Sequence, residues 1–310
     1  MSHKQVADVS VVIPAYRAAR TLTRTLLSIA NQSLAPREVI VVDDGSDDGT
    51  AGVAESCRSS MNGIKLTVVV QVNGGAGSAR NRAIAIATGE WLAFLDADDE
   101  WLSDKLERTF VAIAESGEEL VLLSHDVIVC GKERETVFNC AIHDVGAADP
   151  FHAMYRRGYV STSTALARRD AVVRAGGFDV TLPNAQDFDL WLALLAEPQA
   201  KMLVFPGAHT RHYNQAGSIQ THTKRRLQCS MVIAERYIDV LKRRPGSALL
   251  SLVFRGLAIH AEALVVYRDN GHLREILKSI AIIPLRLMGL LMHIFRPRHH
   301  RRQSYIPDST

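Results

Sequence analysis

The stretch Gly89 to Trp101, GEWLAFLDADDEW, is the strongest indicator of fold class, because an apolar run ends abruptly in acids. The run Trp91 to Leu95 predicts a strand buried on both faces, as central strands of parallel sheets are. Asp96, Asp98 and Asp99 then lie at its carboxyl end, where open α/β sheets bind their ligands. Carboxylates at positions i and i+2 suit a hard divalent cation. A solvated acidic turn that caps the next helix is the competing interpretation.

The composition is that of an ordinary globular protein with one large or two modest domains. The chain has 310 residues, of which 47% are hydrophobic and 22% are charged. A net charge of +3 is too small to indicate a nucleic-acid partner. The four cysteines lack the spacing of a zinc site, so we expect buried thiols in a reducing compartment. The polar start of the chain shows no secretory signal, which predicts a cytoplasmic protein.

Residues 9–125 alternate between strand and helix patterns, which predicts a mostly parallel sheet. The strand segments are VSVVIP, EVIVVDDGS, LTVVVQV, the run from Trp91, and LVLLS. Right-handed crossovers place the carboxyl ends of these strands at one edge. Residues 130–165 are less regular and predict short strands, and Asp187 to Glu197 predicts a short amphipathic helix.

Two other strand ends carry candidate ligand contacts. The first strand ends at Pro14, Ala15 and Tyr16, where an aromatic ring can pack on a nucleobase. A turn with a half-buried tyrosine explains the same residues. The second strand ends at Asp43 and Asp44, where a carboxylate can accept from a base N–H or a ribose hydroxyl. Helix capping explains the polar residues that follow, but not two acids directly after a buried strand.

The loop after the third strand, NGGAGSARNR, is suited to phosphate. Its glycines permit close backbone approach, and Arg80 and Arg82 begin a helix whose amino end attracts anions. A dinucleotide-binding fingerprint matches poorly, because Arg80 stands at the third glycine position and the loop follows the third strand. The sequence contains no P-loop.

The character of the sequence changes after about Thr223, where helical periodicity takes over. The segment Leu273 to Arg302 is rich in Ile, Leu and Met but is interrupted by charges and by Pro284. A helix in the membrane interface, or two helices broken at Pro284, fits better than a spanning helix. A helix packed on the domain or in a dimer is an equal alternative. Attraction to anionic lipid is favoured by a basic tail of Arg296, Arg298, His299, His300, Arg301 and Arg302.

The ordered set of motifs resembles the inverting family 2 glycosyltransferases, whose nucleotide-sugar-binding fold is called GT-A. The resemblance covers roughly residues 8–125 and rests on VSVVIPAY, VVDDGSDDGT and NGGAGSARNRAIAIATGEWLAFLDADD. It implies an α/β fold of the GT-A type, with a Rossmann-like, mostly parallel sheet and a helical carboxyl-terminal extension. It implies Asp98 as the direct ligand of Mg²⁺ or Mn²⁺, beside Asp96. The donor contacts that it implies are Pro14, Ala15, Tyr16, Asp44, Arg80 and Asp96.

A looser resemblance continues through STSTALARRDAVVRAGGFDVTLPNAQDFDLWLAL. Family members commonly carry Glu-Asp-x-Asp-Leu-Trp, whose first Asp is the catalytic base. The resemblance therefore implies Asp187 as the base, with Gln186 in place of the usual Glu. Many members also carry Arg-x-His before a Gly-Ser pair. Here His209 and His212 are shifted relative to that pattern, so either one or neither would contact the diphosphate or the metal.

We expect a chain in three parts, and the resemblance implies an inverting transfer. Residues 1–125 would bind the nucleotide sugar, and residues 126–222 would be the acceptor-binding part of the same domain. Residues 223–310 would form a helical region that either associates with a membrane or packs on the domain. Asp187 would take a proton from the acceptor hydroxyl as that hydroxyl attacks the anomeric carbon. The expected donor is a UDP-sugar. The expected acceptor is a glycan or a lipid-linked sugar of cell-surface polysaccharide or glycolipid synthesis, at the inner face of the cell membrane.

Two alternatives belong to other classes. A nucleotidyltransferase should carry a basic, glycine-rich signature at the first strand, where this chain has PAYRAAR. A noncatalytic, membrane-bound assembly partner should lack the acids or the base, and both are present here.

Overall fold

A computed structural model describes residues 5–131, 134–143, 149–213, 218–295 and 302, with the backbone alone for 218–222 and 295. Within these residues nine strands form one sheet. The strands are β1 (Val6–Ala15), β2 (Ala35–Asp43), β3 (Lys65–Val70), β4 (Trp91–Phe94), β5 (Glu100–Trp101), β6 (Leu120–Cys130), β7 (Glu135–Phe138), β8 (Leu166–Arg168) and β9 (Lys201–Tyr213).

The described helices lie between the strands in the first half of the chain and follow one another at its end. They are α1 (Leu22–Ala30), α2 (Thr50–Ser56), α3 (Ala76–Ile86), α4 (Lys105–Ser116), α5 (Pro150–Arg157), α6 (Arg169–Arg174), α7 (Gln186–Ala196), α8 (Ser218–Arg236), α9 (Ile238–Arg243), α10 (Ala248–Asp269) and α11 (Leu273–Phe295).

The strand order is β3-β2-β1-β4-β8-β6-β9-β5, with β7 paired to β6. The first four strands of this order are parallel to one another. The three-residue strand β8 lies antiparallel between β4 and β6, and β6 pairs in parallel with β9. Since β8 reverses the direction twice, β4 and β6 point the same way. The predicted mostly parallel sheet is confirmed, and the carboxyl ends of β1, β2, β4 and β6 share one edge.

Strand β4 is buried on both faces, as its apolar run predicted. Leu92 and Phe94 belong to one apolar cluster, and Trp91 and Ala93 belong to the cluster on the other face. Each of these side chains is at most 3% exposed. Helices cover both faces of the sheet at β4, so neither face of this strand contacts solvent. This explains why apolar and polar residues do not alternate along the run. The four cysteines are buried and unpaired, as expected.

The carboxyl-terminal helices pack on this domain. Ile233 and Tyr237, from α8 and its carboxyl end, lie in the cluster that contains Leu92 and Phe94, and Leu290 of α11 joins them. Helix α11 is continuous through Pro284, so the alternative of two helices broken there is wrong. Pro284 is exposed, and the packing of α10 against α11 offsets the backbone hydrogen bond that the proline removes.

Candidate functional site

Three acids lie just after the end of β4, and their contacts in the structure differ. Asp96 Oδ1 lies 2.5 Å from Arg80 Nη2, and its side chain is 31% exposed. Asp99 is fully buried and accepts from the hydroxyl of Ser163 and, at 3.1 Å, from the backbone N–H of Tyr213. Asp99 therefore holds the strand end in place, which leaves Asp96 and Asp98 as the candidate ligand acids.

The electrostatics of this cluster favour an additional cation. Burial raises the pKa of Asp98 to about 6, and repulsion from Asp99 and Asp96 adds to the shift. His212 Nδ1 lies 3.0 Å from Asp99 Oδ2, and this hydrogen bond raises the pKa of His212 to about 9. The site thus gathers three carboxylates at close range.

The donor set fits a divalent cation held jointly with a substrate. Among the described residues, no three His, Cys, Asp or Glu side chains converge as a ready-made metal site. Asp99 is engaged by Ser163, Tyr213 and His212, so the carboxylates of Asp96 and Asp98 are the candidate ligands. Mg²⁺ is commonly bound by one or two carboxylates together with water and substrate phosphates. The residues therefore fit Mg²⁺ or Mn²⁺ completed by a diphosphate.

Asp44 holds the glycine-rich loop after β3. Its carboxylate accepts from the backbone N–H of Gly74 at 2.9 Å and of Gly75 at 2.7 Å, and from Gln71 Nε2 at 2.8 Å. The residue is only 2% exposed. Asp44 thereby shapes the loop that faces the strand ends, and its contact with a nucleobase stays a prediction.

The end of β1 presents one accessible aromatic ring. Pro14 and Ala15 are buried, whereas Tyr16 is 50% exposed at the shared edge of the sheet. The Arg17 guanidinium lies 5.4 Å from the centre of the Tyr16 ring. Tyr16 is open to a planar ligand, as its predicted role requires.

Arg80 lies beside the acids, where the loop sequence predicted an anion contact. It is 7% exposed, and besides Asp96 it lies over the ring of Phe178, with Cζ 5.2 Å from the ring centre. In the structure Arg80 thus orients Asp96, and its contact with a diphosphate stays a prediction.

Asp187 lies in the first turn of α7, half-buried. Its Oδ2 accepts from the Thr162 hydroxyl at 2.7 Å, and its Oδ1 accepts from the N–H of Phe188 at 2.8 Å. Thr162 and Ser163 belong to the 3-10 turn Thr162–Thr164, and Ser163 contacts Asp99. Two consecutive residues therefore join the candidate base to the acid cluster. We had not singled out this turn in the sequence, where its only signal is the hydroxyl run STST.

The side chain of Gln186 packs between the start of α7 and the start of α3. Its Nε2 donates to the Leu182 carbonyl at 2.6 Å. A Cβ added at Gly77 would lie 2.6 Å from Gln186 Oε1. The residue that departs from the family pattern therefore packs against the glycine loop.

The second acid of the same motif, Asp189, is structural. It is fully buried and pairs with Arg236 at 2.7 Å and with Arg302 at 2.6 Å. We expected Arg302 to help bind lipid, and this was wrong, because its guanidinium is held by Asp189 and by backbone carbonyls. The rest of the predicted basic tail, residues 296–301, lies outside the described residues.

The two candidate histidines differ in their position. His212 contacts Asp99 in the acid cluster, whereas His209 Nδ1 lies 3.0 Å from Asp104 Oδ1 and its ring packs on His125. Of the two, His212 is placed beside the acids.

A cleft of about 610 Å³ opens beside Asp187. His212, Phe188 and Tyr159 line it. It is also lined by three arginines from α5, α8 and α10, which we had not predicted as site residues: Arg157, Arg226 and Arg255. Only the tertiary structure brings these helices together, so the sequence offered no local signal for them.

Comparisons with known proteins find bacterial glycosyltransferases among the relatives of this chain. WfgD of Escherichia coli, a UDP-Glc:alpha-D-GlcNAc-diphosphoundecaprenol beta-1,3-glucosyltransferase, is 33% identical over 61% of this chain and 70% of its own length. The amylovoran biosynthesis glycosyltransferase AmsB of Erwinia amylovora is 35% identical over 58% of this chain. The chain spans 62% of AmsB, and 38% and 39% of two further bacterial glycosyltransferases.

Solved structures show the same GT-A fold. TarS residues 1–349 of S. aureus in complex with UDP-GlcNAc superpose with a TM-score of 0.66 at 20% identity, over 93% of this chain and 85% of that one. A Pyrobaculum calidifontis mannosyltransferase in complex with GDP-Man and Mn²⁺ gives a TM-score of 0.59 at 20% identity, over 93% and 87%. Residues 10–172, more than half of the chain, match the sequence profile of glycosyl transferase family 2. The chain therefore belongs to glycosyl transferase family 2.

Proposed function

We propose that the protein transfers a sugar from a nucleoside-diphosphate donor to an acceptor hydroxyl with inversion, dependent on Mg²⁺ or Mn²⁺. The observation that carries the proposal is the link through Thr162 and Ser163, which joins Asp187 to the acids after β4. Consecutive Cα atoms are about 3.8 Å apart, so this link keeps the base and the acid cluster within reach of one substrate.

Asp187 acts as the general base. The acceptor hydroxyl gives its proton to the carboxylate, its oxygen bonds to the anomeric carbon, and the bond from that carbon to the diphosphate oxygen breaks. The nucleoside diphosphate leaves with the electron pair, and attack from the opposite face inverts the centre. A cation held by Asp96 and Asp98 would offset the negative charge that develops on the leaving diphosphate.

The donor is proposed to be a UDP-sugar. WfgD is named for UDP-Glc and the TarS structure holds UDP-GlcNAc, which supports uridine, whereas the archaeal neighbour holds GDP-Man. In this chain the Tyr16 ring would stack on the nucleobase of the donor. Pro14, Ala15 and Asp44 would line the pocket beside that nucleobase. Arg80 would stand near the diphosphate, next to Asp96.

The acceptor is proposed to be a lipid-linked sugar of polysaccharide synthesis, met at the inner face of the cell membrane. By length and composition, Ala248–Asp269 and Leu273–Ile294 are apolar enough to cross a membrane. Helix α10 instead buries one face, with Arg255 and His260, against the domain. Helix α11 leaves Leu277, Leu285 and Met292 at least 57% exposed. We therefore favour a helix pair that lies on the membrane surface.

The test uses the purified full-length chain with UDP-, GDP-, dTDP- and CDP-sugars, with Mn²⁺ or with EDTA, and a lipid-linked sugar as acceptor. We expect nucleoside diphosphate release that needs both metal and acceptor, and a product of inverted anomeric configuration by NMR. Absence of turnover with every donor, or retention of configuration, would contradict the proposal.

A further inference from the structure

The cleft beside Asp187 contains a buried cation that the fold leaves poorly compensated. Arg255 of α10 is 4% exposed, and its Cζ lies 4.3 Å from the centre of the Phe188 ring. Its Nε and Nη1 have no hydrogen-bond acceptor among the residues that the structure describes. The nearest carboxylate oxygen recorded for it is Glu262 Oε1, 3.9 Å from Nη1, which is an ion pair without a hydrogen bond.

Two buried guanidinium nitrogens without acceptors are costly, because these N–H groups have lost their water and gained no hydrogen bonds in return. A Cβ at Gly158 would lie 3.2 Å from the Phe188 ring, a tight contact, so the glycine leaves room for the ring on which Arg255 stacks. The arrangement indicates that an anion completes the site when a ligand is bound.

Two more arginines extend the positive charge along the cleft. Arg226 Nη2 lies 3.3 Å from Glu262 Oε2, so Glu262 is shared between Arg226 and Arg255. Arg157 Nη1 lies 3.0 Å from His143 Nδ1. Three arginines thus line the cleft, and two of them share a single glutamate. Arginine binds phosphate oxygens through paired, charge-assisted hydrogen bonds, which makes this cluster suited to a diphosphate.

The same cleft brings the arginines together with the candidate base and with an apolar surface. Asp187 lines the cleft with the three arginines, and Arg255 stacks on Phe188, the residue after Asp187. Arg157 lies over Phe254, with Cζ 5.6 Å from the ring centre. Phe254 is 42% exposed and belongs to α10, beside exposed Leu250 and Leu257. A ligand in the cleft would therefore have apolar side chains, guanidinium groups and the carboxylate of Asp187 within its surroundings.

We infer that Arg157, Arg226 and Arg255 bind the diphosphate of a lipid-diphosphate-linked acceptor and so place its sugar hydroxyl at Asp187. A lipid-linked sugar carries the matching groups: an apolar chain, a diphosphate and hydroxyls. The inference rests on the proposed function and adds to it the residues that recognise the acceptor.

The probe is farnesyl diphosphate, titrated calorimetrically into the full-length chain saturated with UDP and Mn²⁺, so that the donor site is occupied. We expect binding that weakens at least tenfold in the double variant Arg157→Gln and Arg226→Gln. Both side chains are exposed at the cleft, so the fold should persist. Arg225→Gln, on the exposed part of the same helix as Arg226, is the matched control and should bind as the natural chain does.

Two outcomes would overturn the inference. Equal affinity of the double variant and the natural chain would show that the arginines do not bind the diphosphate. Equal affinity for inorganic pyrophosphate and farnesyl diphosphate would show that the site binds the diphosphate group alone and does not recognise the lipid chain. UDP binding, measured in the same samples, tests the donor half of the proposed function separately, since the double variant should retain it.

Discussion

Thr162 donates a hydrogen bond of 2.7 Å to Oδ2 of Asp187, and this contact orients the carboxylate proposed as the base. The neighbouring Ser163 accepts from the backbone N–H of Asp96 at 3.2 Å and donates to Asp99. The positions of base and acid cluster are thus coupled through one short turn. The chemistry proposed for the site depends on that coupling.

The variant Asp187→Asn should retain UDP binding in Mn²⁺ while its turnover falls by about 10² or more, the scale expected for loss of a general base. The amide keeps the shape of the side chain but cannot accept the proton. Steady-state kinetics and calorimetric titration of UDP measure the two properties. If both fell together, Asp187 would be a structural acid.

The variant Thr162→Val should lower kcat about two- to tenfold and leave the donor KM unchanged, because one hydrogen bond contributes about 0.5–1.5 kcal/mol. Thr162→Ser keeps the hydroxyl and should restore most of the rate. An unchanged kcat in the valine variant would show that Asp187 needs no orientation by Thr162.

In the variant Asp98→Asn the metal-stimulated rate should fall at least about 100-fold, and UDP should bind more weakly in Mn²⁺. The reason is that the charge of the proposed metal ligand is gone. The control is Asp104→Asn, in which the acid pairs with His209 outside the acid cluster. That control should keep the rate and its metal dependence. Full metal-stimulated activity of Asp98→Asn would refute the metal assignment.

The variant in which Leu277, Leu285 and Met292 are changed to Gln should bind anionic vesicles at least tenfold more weakly, since each apolar side chain contributes about 1.5–3 kcal/mol when buried. The matched control changes Val70, Val72 and Val137 to Gln, which are exposed on or beside strands β3 and β7. Vesicle sedimentation measures binding. Deletion of α11 is a poorer test, because Leu290 belongs to the core.

Lys105 should make stability depend on pH. Burial lowers the pKa of this fully buried ammonium to about 7, whereas an unfolded lysine titrates near 10.4. Between these values only the unfolded chain holds the proton, so the contribution of Lys105 to stability should rise as the pH increases from about 7 to about 10. Burial also holds the pKa of nearby His125 well below its usual value, so His125 does not titrate in this window.

Urea unfolding at pH 6.5, 8 and 9.5 tests this dependence. Lys105→Met should abolish the rise and should be more stable at pH 6.5, on the order of 2 kcal/mol. Lys278→Met is the control, since that side chain is 71% exposed. The difference in stability between the natural chain and Lys105→Met isolates the lysine, because the stabilising contribution of His212, with its pKa raised to about 9, is lost as the pH rises and is lost in both chains. A difference that does not change with pH would contradict the assignment.

The sequence by itself determined the sheet and the acids at its edge. The run Trp91 to Leu95 predicted a doubly buried strand, and the alternation of strands and helices predicted that Tyr16, Asp44 and Asp98 would share one edge. These features follow from local periodicity and from the fixed hand of crossovers. The order of the motifs also indicated the family, and the match over residues 10–172 confirms it.

Only the tertiary structure decided which side chains meet across distant segments. Thr162 and Asp187 are 25 residues apart, and Arg157 and Arg255 come from helices nearly 100 residues apart in the sequence. Such contacts depend on helix packing, for which the amphipathic pattern gives a face but no partner. For the same reason Arg302 was misassigned, because a basic residue in the sequence does not reveal the buried Asp189 that it neutralises.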